Sequence, residues 1–433
     1  MKDKHNLLII ASHFPPHSRP GGVLRIAKLV KYLPEEIWYP AILTVNGSKS
    51  IKNDKLYNEI KNKCRIYAVP SFDIRILYHY FKGAVYSFTS LFRTSNNPEK
   101  EIDVEDTPIS SGFLVPDHLF LWAIFSVLRA LALQIKHKIN VVLVTAPSHS
   151  GLITGYLLNR LRGTKLIVDY RDPWTTSSFH IKRKWSWLNR FEDWLEGAIL
   201  NVASEVVVVN KYFIKDILDK YQSLTKDKFT VISNGFDKQD FENVNPIRFK
   251  KKVLLHSGNF YYGRSPLSFF KAVQKAAHIN KELFANWEIV LVGSGEEYKN
   301  VLVDLGIVDY VRLTGFVNHD DSIRYILGAD ALLLIPGRGL TTLTGKIFEY
   351  IGSAKPIFLL GNKSAASELL RENDLGLFCP DVSVELVTSK LIEFLSAFEA
   401  YKNKINVGAN GLNLFDRRSI ALKFSDMLKA YKL

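Results

Sequence analysis

Ten short apolar runs constrain the fold of this chain more than any other feature. NLLIIAS, YPAILTV, NVVLVTA, KLIVDY and SEVVVVN fall in the first half; KVLLHSG, WEIVLVGSG, YVRLTGF, ALLLIPG and KPIFLLG fall in the second. The runs are continuous rather than alternating, as in strands buried on both faces of a parallel sheet. Amphipathic stretches such as VLRIAKLVKYL and SPLSFFKAVQKAAH separate them, giving the strand-helix alternation of doubly wound α/β folds. With 433 residues and about 150 residues per domain, the expected architecture is two Rossmann-like doubly wound domains. The break falls in KFTVISNGFDKQDFENVNPIRFKKK, where a strand gives way to Asn234-Gly235 and a charged linker before Val253. The first domain is therefore 1–235 and the second begins at 236.

Several classes are excluded. Apolar residues at 47% and charged residues at 23% are globular values, and no repeat period appears. Cys64 and Cys379 are far apart and match no metal-ligand spacing, which fits a reducing compartment. The apolar core at Leu7–Ser12 is too short for a secretory h-region and reads as a first strand. The stretch from Leu119 to Ile135 is interrupted by Arg129 and falls short of the about 20 residues that span a bilayer, so no spanning helix is expected.

Charge is unevenly distributed. Residues 1–235 carry 32 Lys+Arg against 21 Asp+Glu, a balance of +11, whereas 236–433 carry 25 against 22, or +3. A basic first half suits anionic lipid, phosphorylated substrates or nucleic acid, and equally a solvated face without a partner. Two segments stand outside the alternation. Residues 71–116 mix aromatic and basic positions, and 180–198 set Lys182, Arg183 and Lys184 beside Trp185, Trp187 and Trp194. Interfacial membrane contact needs such helices, and so does a helix packing its aromatics on a core.

Candidate ligand loops follow the strands. HFPPHSRPGG ends in Gly21-Gly22 at a helix start, where backbone amides can approach an anion. It is not G-x-G-x-x-G, and no acidic residue ends the second strand, which disfavours a nicotinamide cofactor. HSGNFYYGRSP places Gly258, Gly263 and Arg264 between a strand and a helix, where a guanidinium can neutralise a diphosphate. LVGSGEE puts Gly293 and Gly295 at a strand's carboxyl end, a common ligand position in open α/β sheets. TTLTGKIFEYIG sets Thr344, Gly345 and Lys346 at a helix start, with Glu349 three residues on from Lys346 and on the same side.

With these loops assembled, the chain resembles the GT-B glycosyltransferases of family 4 type, retaining enzymes that use nucleotide-sugar donors. The resemblance runs from the PGG loop through KIFEYIGSAKPIF to a last helix, SIALKFSDMLKAYKL, and the block VPDHLFLW with VTAPSHSGLITGYLLNRLRGTKLIVDYRDPW is similar to members active in surface-glycan assembly. It implies two domains facing across a cleft, 236–415 as the nucleotide-sugar domain, and 416–433 as a helix packing back on the first domain. Gly21 and Gly22 would face the donor, and Arg264 would bind the diphosphate in a G-x5-K-like pattern beginning at Gly258. Phe316 and Val317 would line the base pocket, Glu349 would take the ribose hydroxyls, and Thr344 and Gly345 amides would meet the phosphates. His149 is the first-domain histidine candidate, Asp172 of DYRDPW an acceptor-orienting candidate or a turn cap, and His118 a further acceptor-side candidate.

Two departures accompany the likeness. The family's E-x7-E pattern asks for an acidic residue where Thr341 stands, and an arginine is usual where Asn259 stands. They point to altered donor recognition or altered activity, with Lys346 replacing a lost positive charge. No D-x-D triplet is present to hold a metal beside a diphosphate, so Arg264, Lys346 and helix amino ends are expected to neutralise it without metal or cofactor. The main expectation is a cytoplasmic enzyme, peripheral at the inner face of the cell membrane. It would pass a hexosyl or N-acetylhexosaminyl group from a nucleotide-diphosphate donor, UDP-sugar favoured, to a lipid-linked or polysaccharide acceptor. Two alternatives stay open: a nucleotide-sugar epimerase, and a non-catalytic binding protein of the same fold. Nucleic-acid binding accounts for the charge but not for paired sheets with diphosphate-type loops.

Overall fold

The computed structural model describes residues 7–17, 23–46, 55–71, 115–177, 180, 182–260, 264–293, 295–337, 339–341 and 343–431, with backbone only for 406–411. Gly21, Gly22, Gly263 and nearly all of the aromatic-basic segment 71–116 lie outside the described residues. The chain divides into two compact units, residues 1–232 with 421–433, and residues 233–420.

In the first unit the strands are β1 (Leu7–Ile10), β2 (Ala41–Asn46), β3 (Arg65–Pro70), β4 (Val141–Ala146), β5 (Lys165–Tyr170), β6 (Glu205–Val208) and β7 (Phe229–Val231). The helices are α1 (Leu24–Tyr32), α2 (Lys55–Ile60), α3 (Phe120–His137), α4 (Ser150–Arg162), α5 (Ser186–Val202) and α6 (Lys211–Lys220). The sheet order is β3-β2-β1-β4-β5-β6-β7 and every pairing is parallel. β1 and β4 are buried along their whole length, as continuous apolar runs require. The order reverses direction between β1 and β4, so loops leaving these neighbours part to opposite sides and open a crevice at their carboxyl ends.

The second unit repeats the plan. Its strands are β8 (Lys252–Gly258), β9 (Trp287–Gly293), β10 (Val311–Leu313), β11 (Ala331–Leu334), β12 (Ile357–Gly361) and β13 (Gly376–Pro380), in the order β10-β9-β8-β11-β12-β13, again all parallel. Helices α7 (Leu267–Ile279), α8 (Lys281–Asn286), α9 (Lys299–Asp304), α10 (His319–Gly328), α11 (Lys346–Gly352), α12 (Ala365–Glu372), α13 (Val384–Ser396) and α14 (Phe398–Leu412) fill the connections. The switch point lies between β8 and β11. Local chemistry sets the helix starts: Asn318 accepts from Asp321 N at α10, and Ser364 and Ser367 form a capping box at α12.

The last helix, α15 (Arg417–Lys429), begins in the second unit, and its residues from Ala421 on belong to the first. There Phe424 and Leu428 are buried, Trp38 Nε1 donates to Ser425 Oγ at 2.8 Å, and Lys423 Nζ donates to Val231 O at 2.8 Å.

Helix α3 corresponds to the long apolar stretch and, by length and composition, could cross a membrane. One side of it, including Trp122, Ala123, Ala130 and Leu133, belongs to the first unit's core. Its other side leaves Ile124, Phe125, Leu128 and Ile135 exposed. Helix α5 is apolar where a surface helix is normally polar. Trp187 and Trp194, 62% and 60% exposed, stand on its outer side with Phe191, which stacks on Trp194 at 5.7 Å. Glu192 and Glu196 are buried among Leu188, Leu195 and Ile199 on the inner side. Trp185, by contrast, packs against the core.

Candidate functional site

Residues with chemical potential gather at the carboxyl edge of each sheet. In the second unit, β8 ends at Gly258 and β9 at Gly293, which pair in register. Both hold left-handed backbones, φ 143° and 107°, and a Cβ on Gly293 would lie 3.3 Å from Gly258 O and 3.4 Å from Asn259 Oδ1. Glycine is therefore needed for both conformation and space. Across the switch point, Arg264 lies over Gly337 in the loop after β11; a Cβ there would come within 3.3 Å of Arg264 Cγ and Nε. Gly295, φ 124°, is packed against Leu313 and its N–H donates to Glu297 Oε2 at 3.1 Å.

At the start of α11, Lys346 Nζ and Glu349 Oε2 form an ion pair at 2.7 Å, both side chains partly exposed. Thr344 Oγ1 accepts from Lys346 N at 3.4 Å, and nothing lies within 4 Å of where a Cβ on Gly345 would be. Thr341 is half-buried in the preceding loop. Of the two residues expected at the base, Val317 packs partly against the core and Phe316 is 86% exposed.

Two histidines join this edge unannounced by the sequence. His256, on β8, is buried and stacked on Phe260 at 4.4 Å; its Nδ1 donates to Leu333 O at 3.1 Å, so Nε2 carries the lone pair, with no partner among the described residues. Burial, helped by the Leu333 carbonyl only in the opposite sense and reinforced by Arg264 and Lys346, pushes its pKa down to about 4. The ring is neutral. His319 at the start of α10 is the reverse: half-exposed, it meets Asp240, which, aided by Glu349, raises its pKa against partial desolvation and the opposing charge of Lys346. His256 thus lies within electrostatic reach of Arg264 and Lys346, and His319 within reach of Lys346 and Glu349.

In the first unit, Asp117 is the anchor at the sheet edge. Its carboxylate accepts from Ser148 Oγ (2.6 Å), Ser150 Oγ, Ser150 N (3.1 Å) and Leu119 N (2.9 Å), and these bonds hold its pKa down against the opposing effect of burial. It thereby ties the loop before α3, which carries His118, to the loop after β4, which carries His149. His149 Nε2 donates to Asp172 O at 3.2 Å, and its ring stacks on Trp174 at 5.3 Å with the planes 13° apart. Desolvation lowers its pKa, so the ring is neutral with Nδ1 as acceptor. The Asp172 carboxylate is 59% exposed and meets Arg171 Nε at 3.4 Å. Behind this edge, Arg25 clasps Asp169 with Nε at 3.1 Å and Nη2 at 2.9 Å, and Thr145 Oγ1 donates to the same carboxylate.

The residues expected from the sequence thus fall into two sets: Gly258, Asn259, Gly293, Gly295, Arg264, Lys346, Thr344, Gly345 and Glu349 in one unit, His149, Asp172 and His118 in the other. Among the described residues no group of three His, Cys, Asp or Glu side chains is arranged to hold a metal ion.

Residues 84–240, most of them in the first unit, match the family model described as Glycosyltransferase Family 4. Among curated proteins, none matches the chain in sequence. Solved structures share its fold over almost the whole length. A sucrose-phosphate synthase from Thermosynechococcus elongatus aligns with 99% of both chains at TM-score 0.65 and 14% identity. Anabaena HepE, solved with UDP, aligns over 98% of this chain and 100% of its own at 0.62 and 12%. WaaG, a glycosyltransferase involved in lipopolysaccharide biosynthesis, aligns over 97% and 99% at 0.59 and 12%. Identities this low speak for fold alone. The chain has the two-domain GT-B fold of these structures, and its residues 84–240 are similar to the Glycosyltransferase Family 4 model.

Proposed function

We propose that the chain transfers a hexosyl or N-acetylhexosaminyl group from a UDP-sugar to a lipid-linked or polysaccharide acceptor in surface-glycan assembly. The observation that carries this reading is the gathering of Arg264, Lys346 and Glu349 around the glycine-lined switch point of the second sheet. Gly258 and Gly293 leave room for a diphosphate to approach the backbone, Arg264 and Lys346 supply positive charge for it, and Glu349 supplies an acceptor for ribose hydroxyls. The UDP held by HepE favours uracil as the base.

Transfer in this reading proceeds with retention and without metal. As the bond from the sugar's anomeric carbon to the diphosphate oxygen breaks, the acceptor oxygen bonds that carbon from the same face and its proton passes to the departing phosphate oxygen. The protein contributes positioning and charge stabilisation. Arg264 and Lys346 balance the charge growing on the leaving group, while His149 Nδ1 and the Asp172 carboxylate orient hydroxyls.

The same reading places the enzyme at the inner face of the cell membrane. The outward Trp187, Phe191 and Trp194, with the exposed Lys182, Lys184 and Arg190 close to them in sequence, have the aromatic-plus-basic chemistry of an anionic lipid interface, and α3 exposes a further apolar side. Cosedimentation with phosphatidylglycerol vesicles but not with phosphatidylcholine vesicles is the expected result.

A thermal-shift series with UDP, GDP, ADP, CDP and TDP, in chelator and then with magnesium, tests the donor assignment. UDP is expected to stabilise the protein in chelator, because a ligand that binds only the native state raises its stability. Stabilisation by UDP without turnover across acceptors would favour a non-catalytic binding protein, and indifference to all five would remove the nucleotide site.

A further inference from the structure

Helix α5 buries a carboxylate that the transfer reading leaves without a task. Glu196 receives hydrogen bonds from Tyr221 Oη at 2.7 Å, from Thr175 N at 3.3 Å, and from the hydroxyls of Tyr170 and Thr175, with Lys220 Nζ 4.0 Å away. Thr175 N can only donate and the three hydroxyls are able to, so both carboxylate oxygens are set among donors. Because the Tyr170 hydrogen is committed to Glu196, the Tyr170 oxygen is left to accept, and Trp174 N donates to it at 2.7 Å. Trp174 is the residue on which His149 stacks, and Asp172, two positions earlier, gives the carbonyl that takes His149 Nε2–H. Tyr170 itself meets the imidazole edge-on, 6.4 Å between centroids. Residues 171–175 form an irregular turn after β5, so its shape depends on these bonds.

We propose that Glu196 is a positioning residue for His149: through Tyr170 and Thr175 it fixes the 171–175 turn, so that Trp174 and the Asp172 carbonyl hold the imidazole with Nδ1 presented to a substrate hydroxyl. The inference rests on the reading that His149 faces a sugar hydroxyl. A glutamine at 196 would set an NH2 group against donors, and Thr175 N–H cannot reverse its role. Loss of the Tyr170 hydroxyl would leave the charge in place and remove only the relay to Trp174.

Loss of the Glu196 charge and loss of the turn it holds move the His149 titration in opposite directions. Three carboxylates favour its protonated form: Asp117 from the loop before α3, Asp172 from the turn, and Glu196 from α5, while burial opposes them. If Glu196 acted by charge alone, E196Q would lower the titration midpoint of His149. If it acts by holding the turn, release of the Trp174 stack hydrates the ring and the midpoint rises toward the ordinary histidine value.

The experiment is a nitrogen-15 histidine NMR titration of the whole chain in wild-type, E196Q and Y170F forms, with His149 assigned from H149Q, alongside UDP-sugar turnover and UDP affinity. Both variants are expected to raise the His149 midpoint and mix its tautomers. They should lower kcat/KM by up to about 10²-fold, the loss that goes with about 1 Å of misplacement, while leaving UDP affinity unchanged. A lowered midpoint in E196Q, or an unchanged midpoint and tautomer in Y170F, would overturn the proposal; should E196Q not fold, Y170F alone decides. Unchanged turnover in H149A would separately remove His149 from transfer while the NMR result stood.

Discussion

At the first sheet's edge, loops are fastened by carboxylates: half-buried Asp117 gathers Ser148 and Ser150, buried Asp169 is clasped by Arg25, and buried Glu196 gathers Tyr170, Tyr221 and Thr175. At the second sheet's edge the loops carry Gly258, Gly293 and Gly337, and the charged groups Lys346 and Glu349 stay partly exposed and pair with each other. The same topology therefore supports two ways of making a site. Charge-assisted bonds inside the protein orient a few side chains beforehand, whereas missing side chains leave backbone and space for a ligand that brings its own charge.

The sharpest way to break this contrast is at Asp169. D169A leaves the Arg25 guanidinium buried without its carboxylate and is expected to cost about 3–5 kcal/mol of stability, the usual result of removing one partner of a buried pair. Urea unfolding followed by tryptophan fluorescence measures it, and a loss no larger than that of an exposed pair would deny the first edge its fastening. On the other side, R264A should lower turnover by about 10²-fold, as loss of a charge-stabilising donor does, with little change in stability. Uridine affinity should be spared while UDP affinity falls; equal losses for both ligands would contradict a diphosphate partner.

E349A sharpens the contrast further. It should weaken UDP binding by about 1–3 kcal/mol, the range for hydrogen bonds to a charged group, and barely alter unfolding, because the pair with Lys346 is partly exposed. Calorimetry that finds UDP affinity intact would take Glu349 out of the site. The smallest effect concerns His256. Its folded pKa lies below the unfolded value near 6.5, so the unfolded chain binds the extra proton as pH falls and stability is lost between about 6.5 and 4. From pH 6.5 to 5.5 this amounts to about 1 kcal/mol, and the stability difference between wild type and H256Q should shrink accordingly. A difference independent of pH would mean that the ring is hydrated.

Much of the fold was legible because buried parallel strands are apolar on both faces. All ten continuous runs correspond to strands. β3, β7 and β13 fall outside them, and each is an edge strand of its sheet; RIYAVP, only half-covered, is accordingly mixed rather than apolar. In the site, Gly258 and Gly293 announce themselves because left-handed backbone at a strand end leaves a glycine in the sequence. His256 does not, since its role depends on Leu333 of a neighbouring strand 77 residues away. Glu196 carried a signal of another kind. Glu192 and Glu196 are in helical phase with Leu188 and Ile199, the side that is buried, while Trp187 and Trp194 occupy the side that sequence alone would bury. Carboxylates in the apolar phase of a helix mark an internal network.

The route of α15 bears on how the protein is made. Trp38 bonds Ser425, Phe424 lies under the Arg25 guanidinium, and Lys423 bonds the Val231 carbonyl, so the unit that emerges from the ribosome first is completed last. Throughout synthesis of the second unit, the seat of α15 stays uncovered. A nascent chain that has not yet reached residue 421 presents apolar surface to chaperones and proteases, however well its second unit has folded.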